Sequence, residues 1–350
     1  MRCKPGQDFL PYDRPIAVSK IGSTSDIGEG DCCFVCGATP SSTVFNDEHV
    51  LPDWILRRYN LHSLRITLPN RQQLTYGGYK VPCCQACNAL MSDEFEVPMS
   101  AIVAQGYRAL VDHLRQDGPL KLFQWLNLIF LKTHLKDKLL RFHLDRRQGQ
   151  ENIAELYSWE ELHHIHCISR AFCSGAKIDF SSLGSLFVFP AKTGTVAGDF
   201  DYRDCYPAKT LLLRMGEIGI VTVLNDACAA HNILQNIFRK ITGPLSPLQA
   251  RELMARAASI NLRLEEGPVF ASDFDENYCR QILLARTPRK VILKDESELN
   301  ALGRILYWCF EDILPMMPDE ERPMVADHLR AGQYSLLLDR EGVFIKNPPL

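Results

Sequence analysis

The chain has 350 residues, a formal net charge of -3, 46% hydrophobic residues and 23% charged residues. That balance belongs to a globular protein with room for two or three cores. It excludes a global basic field that would draw the chain to nucleic acid, so any such binding needs a local patch.

Residues 1–30 are rich in Gly, Ser, Pro and Asp and read as an irregular leader. MRCKPGQDFL has no apolar core of a secretory signal. From Asp31 to about Ser100, cysteines cluster at both ends of short strand-like runs, LRITL and QLTYGGYKV, with a turn or bulge at Gly77-Gly78. PDWILRRY between them predicts a short helix with Pro52 near its first turn. Three- and four-residue apolar spacing predicts helices over 97–115, 120–144 and 152–173. The run LKLFQWLNLIFLKTHL is too short and too broken to span a bilayer. Strands are expected at SLFVFPA, TLLLRM and IGIVTVL, with helices over 227–241 and 248–264. RKVILK reads as a strand, SELNALGRILYWCFEDIL as a helix and SLLLDREGVFIK as a hairpin.

With no membrane segment or signal in view, a reducing cytoplasm is the expected compartment. There, closely spaced members of the thirteen cysteines read as metal ligands rather than disulfides. Cys33-x-x-Cys36 and Cys84-x-x-Cys87 form two knuckles, each able to aim two thiolates at one ion. Together they predict a tetrahedral four-sulfur structural zinc. Cys32 with Cys83 is an alternative register, but its CxxxC spacing is less suited to a knuckle.

Glu48-His49 lies between the knuckles, in FNDEHVLPDW, and Asn88 directly follows the last cysteine, at the start of an expected helix. These groups suit phosphodiester hydrolysis, in which a water loses a proton and the phosphate and leaving oxygen need charge balance. His49 at a strand end can take the proton. Glu48, or Asp47, offers a carboxylate and Asn88 an amide oxygen to a hard cation such as Mg²⁺ or Mn²⁺. Neighbours in a strand point to opposite sides, so Glu48 and His49 can serve different partners.

CxxC, an acid followed by His, and then CxxCN resemble the HNH nuclease family, in particular its zinc-containing, endonuclease VII-like members. The runs EHVLPDW and CNALMSDEFE also resemble a group of bacterial HNH proteins. The resemblance covers Cys33 to Glu96, under a third of the chain. Within an α+β chain whose pattern of elements gives a larger, helix-rich C-terminal part over 101–350, the resemblance implies a zinc-clamped ββα-metal domain over 31–100. It also implies His49 as general base and Glu48 with Asn88 as ligands of the catalytic ion. The family's third position, often His or Asn, falls here on Glu94 or Glu96. DNA rather than RNA as substrate, and a role in phage defence, follow from the resemblance alone.

Residues 108–147 carry nine basic and four acidic side chains, and Lys132, Lys136, Lys138 and Arg141 are candidates for a phosphate-tracking patch. A solvated helix face is the competing reading. HHIHC puts His163, His166 and Cys167 on one helical face, but a packed face fits them better than a metal site. Trp54 reads as an apolar anchor. Residues 150–350 show no motif, and a regulatory or sensing role with an activating ligand or partner is the expectation for them. The rival to the nuclease is a non-catalytic zinc ribbon that binds nucleic acid or protein.

Overall fold

The computed structural model describes residues 31–195, 198–275, 277–278 and 280–348. The leader expected over 1–30 lies outside them. The chain begins with β1 (Phe45–His49), helix α1 (Asp53–Arg58), β2 (Arg65–Thr67), β3 (Gln73–Thr75), β4 (Lys80–Cys84) and α2 (Gln85–Met91). A π-helical turn at Ser92–Glu96 leads into α3 (Val97–Ala104), then α4 (Tyr107–Asp117), α5 (Leu120–Asp137) and α6 (His163–Ser174). Strands β5 (Lys177–Ile178), β6 (Ser185–Pro190), β7 (Phe200–Cys205), β8 (Thr210–Met215) and β9 (Ile218–Val223) follow. Next come α7 (Ala229–Phe238), α8 (Pro247–Arg263), β10 (Val269–Asp275) and β11 (Arg280–Arg286). Helices α9 (Glu296–Leu299), α10 (Ala301–Phe310) and α11 (Arg322–Arg330) complete the order, which makes the chain mixed α+β. No helix among the described residues is long and apolar enough to cross a membrane.

The chain forms two compact units. The first gathers 31–104, 119–179 and 271–284; the second gathers 105–118, 180–270 and 285–348. The cysteine segment therefore shares a unit with α5, α6 and most of the β10–β11 pair, whereas the sequence suggested one boundary near residue 100. The basic stretch 108–147 is divided, with Arg108 and Arg115 in the second unit and the remainder in the first.

Helix α5 is the spine of the first unit. Its side chains from Leu122 to Leu135 are all buried, so a helix that looked amphipathic at its basic end is enclosed on every side. The Trp125 ring stacks on Trp54 at 6.1 Å, which gives α1 its apolar anchor. Phe95 meets Phe172 of α6 edge-on at 5.1 Å. Strands β1 and β4 pair antiparallel, with Phe45 opposite Cys84 and His49 opposite Lys80.

The second unit is built on an antiparallel sheet in the order β6-β9-β8-β7. Strands β8 and β9 are buried along their whole length. They pack beneath α8, whose small residues Ala250, Ala255, Ala257 and Ala258 are fully buried and allow close approach. A capping box between Ser246 and Gln249, with Pro247 in the first turn, starts that helix. Gly219 in β9 has no side chain because the Phe189 ring fills the space where its Cβ would lie.

Several sequence expectations are corrected. The helix expected over 97–115 breaks at Gly106, whose φ of +91° is a left-handed conformation. The helix expected near 297–314 breaks at Asn300, where φ is +45°. RKVILK is not a strand; it makes a single bridge, Leu293 to Leu264. Strand β7 was missed because FDYRDC is a charged edge strand whose apolar alternation stops after Tyr202. β10 and β11 were missed too, and β10 is mostly exposed.

Candidate metal centre and active site

Two tight turns bring four sulfurs together. Cys33 and Cys36 lie in a turn closed by the Gly37 N–H donating to the Cys33 carbonyl at 2.8 Å. Cys84 ends β4 and caps α2, and the Cys87 N–H donates to its Sγ at 3.4 Å. All four Sγ atoms lie within 4.8 Å of one another, with Cys36 and Cys84 3.7 Å apart. Sulfurs bonded at ~2.3 Å to one tetrahedral ion would stand about 3.8 Å apart. Donor type and spacing therefore fit one zinc ion.

Crowded thiols share charge poorly. The neighbouring sulfurs of Cys36, Cys83 and Cys87 hold the Cys33 thiol far below its ordinary range. The same contact with Cys33 pushes Cys36 up to about 12. A divalent cation at the centre of the cluster would resolve that conflict by drawing charge from all four sulfurs. Cys83 is buried 3.7 Å from Cys33, but it is Cys84 that completes the cluster.

The residues expected to do chemistry surround the β1–β4 pair. Asn46 and Glu48 alternate along β1 and share a face. Asn88, in α2, donates from Nδ2 to Asn46 Oδ1 at 2.9 Å, which places it beside that face. Its Oδ1 is then the atom available to a cation. Glu48 is buried, and its Oε1 accepts from Lys132 Nζ at 2.5 Å. Lys132 also donates to the His49 carbonyl at 2.8 Å. Glu96 joins this cluster, hydrogen-bonded to Glu48; burial, with Glu48 beside it, raises its carboxyl to about 7. Of the two candidates for the third position, Glu96 thus neighbours Glu48, whereas Glu94 pairs with Lys121 at 3.4 Å.

His49 ends β1 half-buried, and burial with the Lys80 charge lowers its pKa. Its ring faces two groups that sequence reasoning passed over. Asp53, in the first turn of α1, and His62, in the loop after α1, bring their ligand atoms within 4.8 Å of each other and of His49. Asp53 Oδ1 stands 3.2 Å from His62 Nε2. Sequence spacing gave no signal for His62, because thirteen positions and a helix separate it from His49. Asp47 is exposed.

The proposed phosphate-tracking residues do not form one exposed set. Lys132 is only 3% exposed and is committed to Glu48, so it is removed from that surface. Lys136 is half-buried, and burial lowers its pKa. Lys138 lies over the Trp159 ring at 5.2 Å. Arg141 is exposed. In HHIHC, His166 is buried with Nε2 2.7 Å from the Phe34 carbonyl, and Cys167 Sγ lies 3.5 Å from His163 Nε2. Those three residues form no ligand cluster among the described residues.

No protein-family model, curated protein or solved structure matches the chain. Its function therefore rests on its own residues.

Proposed function

We propose that the chain is a metal-dependent endonuclease of the HNH type that hydrolyses phosphodiester bonds in DNA. One arrangement carries the reading. A strand ending in Glu48-His49 pairs with a strand that runs directly into the helix bearing Asn88, and a four-cysteine cluster ties the two ends together. The motif order read from the sequence is supported by this pairing of β1 with β4 and α2, with α1, β2 and β3 inserted between the two strands.

In this mechanism His49 accepts the proton of the attacking water. Its lowered pKa keeps the ring neutral near neutral pH, as a base requires. Glu48 and Asn88 would hold Mg²⁺ or Mn²⁺, which supplies charge balance to the phosphate and to the leaving oxygen. Lys132 fixes one oxygen of Glu48 and Glu96 is hydrogen-bonded to the same carboxylate, so an ion there would exchange with the Glu96 proton. Asn46 orients the Asn88 amide. The four cysteines keep β4 and α2 in register with the turn at Cys33. Phage defence and a regulatory role for the second unit are extensions by analogy.

A second reading is favoured by one observation, the buried ion pair between Glu48 and Lys132. A carboxylate already neutralised by an ammonium can be purely structural, and the domain would then be a zinc scaffold that grips a partner. The deciding experiment is plasmid cleavage in Mg²⁺ or Mn²⁺ by wild type beside His49→Ala. The nuclease predicts cutting that falls by at least ~100-fold in the variant, with about one tightly held zinc retained by both proteins. Equal cutting by both assigns the activity to a contaminant, and no cutting by either favours the scaffold.

A further inference from the structure

We propose that His49, Asp53 and His62 form a second metal site, one that takes a divalent transition-metal ion such as Zn²⁺ or Co²⁺ and thereby withdraws the His49 ring from catalysis. The binding half stands alone. The inhibitory half rests on the nuclease reading.

The donor set is two imidazoles and one carboxylate, which suits borderline transition metals and leaves positions open for water. It differs from the hard oxygen set offered by Glu48 and Asn88, so the two sites prefer different ions. Ligand atoms around a tetrahedral ion at ~2.1 Å stand about 3.4 Å apart. Asp53 Oδ1 and His62 Nε2 already lie 3.2 Å apart, and all three ligand atoms fall within 4.8 Å. The two rings meet edge to face, with centroids 6.0 Å apart. His62 is exposed and the other two are half-buried, so an ion can enter from solvent.

The three ligands are held by fixed backbone. His49 sits at the end of the β1–β4 ladder, opposite Lys80. Pro52 sets the start of α1, and Asp53 follows at once. The His62 loop is clamped by the Leu61 N–H donating to the Leu56 carbonyl at 2.8 Å and the Gly77 N–H donating to the His62 carbonyl at 3.1 Å. A Cβ on Gly77 would lie 3.0 Å from His62 Nδ1, so the bare glycine lets the ring sit where it does. Two positive groups oppose binding. Arg57 holds Asp53 Oδ2 at 2.6 Å, and Lys80 adds its charge beside His49. They set the affinity well below that of the four-thiolate site, so the ion would come and go with its concentration. A nitrogen of His49 that ligates an ion cannot accept a proton from water, and zinc in excess of the structural ion would therefore inhibit.

The test uses the full chain with its tight zinc in place. Co²⁺ is titrated by absorption spectroscopy and Zn²⁺ by calorimetry, on wild type, His62→Ala and Asp53→Asn. One further ion per chain is expected in wild type, with cobalt bands of nitrogen and oxygen coordination and without thiolate charge transfer. Each variant should bind it at least ~10-fold more weakly. Absence of a second ion at millimolar Co²⁺, or equal binding by all three proteins, overturns the site. In the cleavage assay, the zinc concentration that halves each protein's own rate should rise at least ~10-fold in His62→Ala. Unchanged zinc sensitivity overturns the inhibitory half. No cutting by any protein overturns that half together with the nuclease reading, while the titrations still decide the site.

Discussion

At the residue scale, Lys132 controls the Glu48 carboxylate. Both side chains are almost fully buried, so neither charge has solvent to fall back on. Lys132→Met should destabilise the first unit by about 3–5 kcal/mol, because it leaves a buried carboxylate without its partner. Adding Glu48→Gln should recover part of that loss, and chemical denaturation of both variants measures it. The cysteines give a second prediction. Cys87→Ser removes one of four ligands and should release the tightly held zinc and unfold the first unit, whereas His49→Ala should leave that tightly held zinc in place. Zinc analysis with far-UV circular dichroism separates the two outcomes.

At the scale of elements, α8 shows how the second unit is locked. Glu252, near the middle of that helix, is 1% exposed. It accepts from the Leu336 and Leu337 N–H groups, from the Ser335 hydroxyl and from Arg256. Arg251 beside it reaches Asp201 of β7 at 2.8 Å and Asp312 after α10 at 3.0 Å. The helix thus binds a strand, a second helix end and the segment after α11 through two adjacent charges. Glu252→Ala should cost about 3–5 kcal/mol, because it strands buried N–H groups and the Arg256 charge. The urea midpoint of the full chain, followed by a probe in the second unit, measures it. In the cysteine segment, the turn at Gly77-Gly78 read from the sequence is a short 3-10 turn joining β3 to β4. Its value to the site is the space it leaves for His62.

At the scale of the whole molecule, the cysteine segment is not self-sufficient. Trp54 needs Trp125, Glu48 needs Lys132, and the Phe34 carbonyl meets His166. A fragment ending at residue 104 would lack all three partners and expose the faces they cover. It should fail to give a dispersed NMR spectrum even with zinc, whereas the full chain should give one; a folded, zinc-bound fragment would contradict this account. The amino-acid sequence by itself determined what is local. Two CxxC knuckles fix a four-sulfur cluster, alternating and three-to-four spacing fixes most strands and helices, and Glu48-His49 with Asn88 marks where chemistry is to be sought. Only the tertiary structure decided what depends on distant partners. It enclosed α5 and withdrew Lys132 from the basic patch. It set Glu96 rather than Glu94 beside Glu48, and it brought Asp53 and His62 to His49. The reason is physical: ligand spacing within a knuckle is set by a few backbone torsions, whereas burial and charge pairing are set by which surfaces the folded chain presses together.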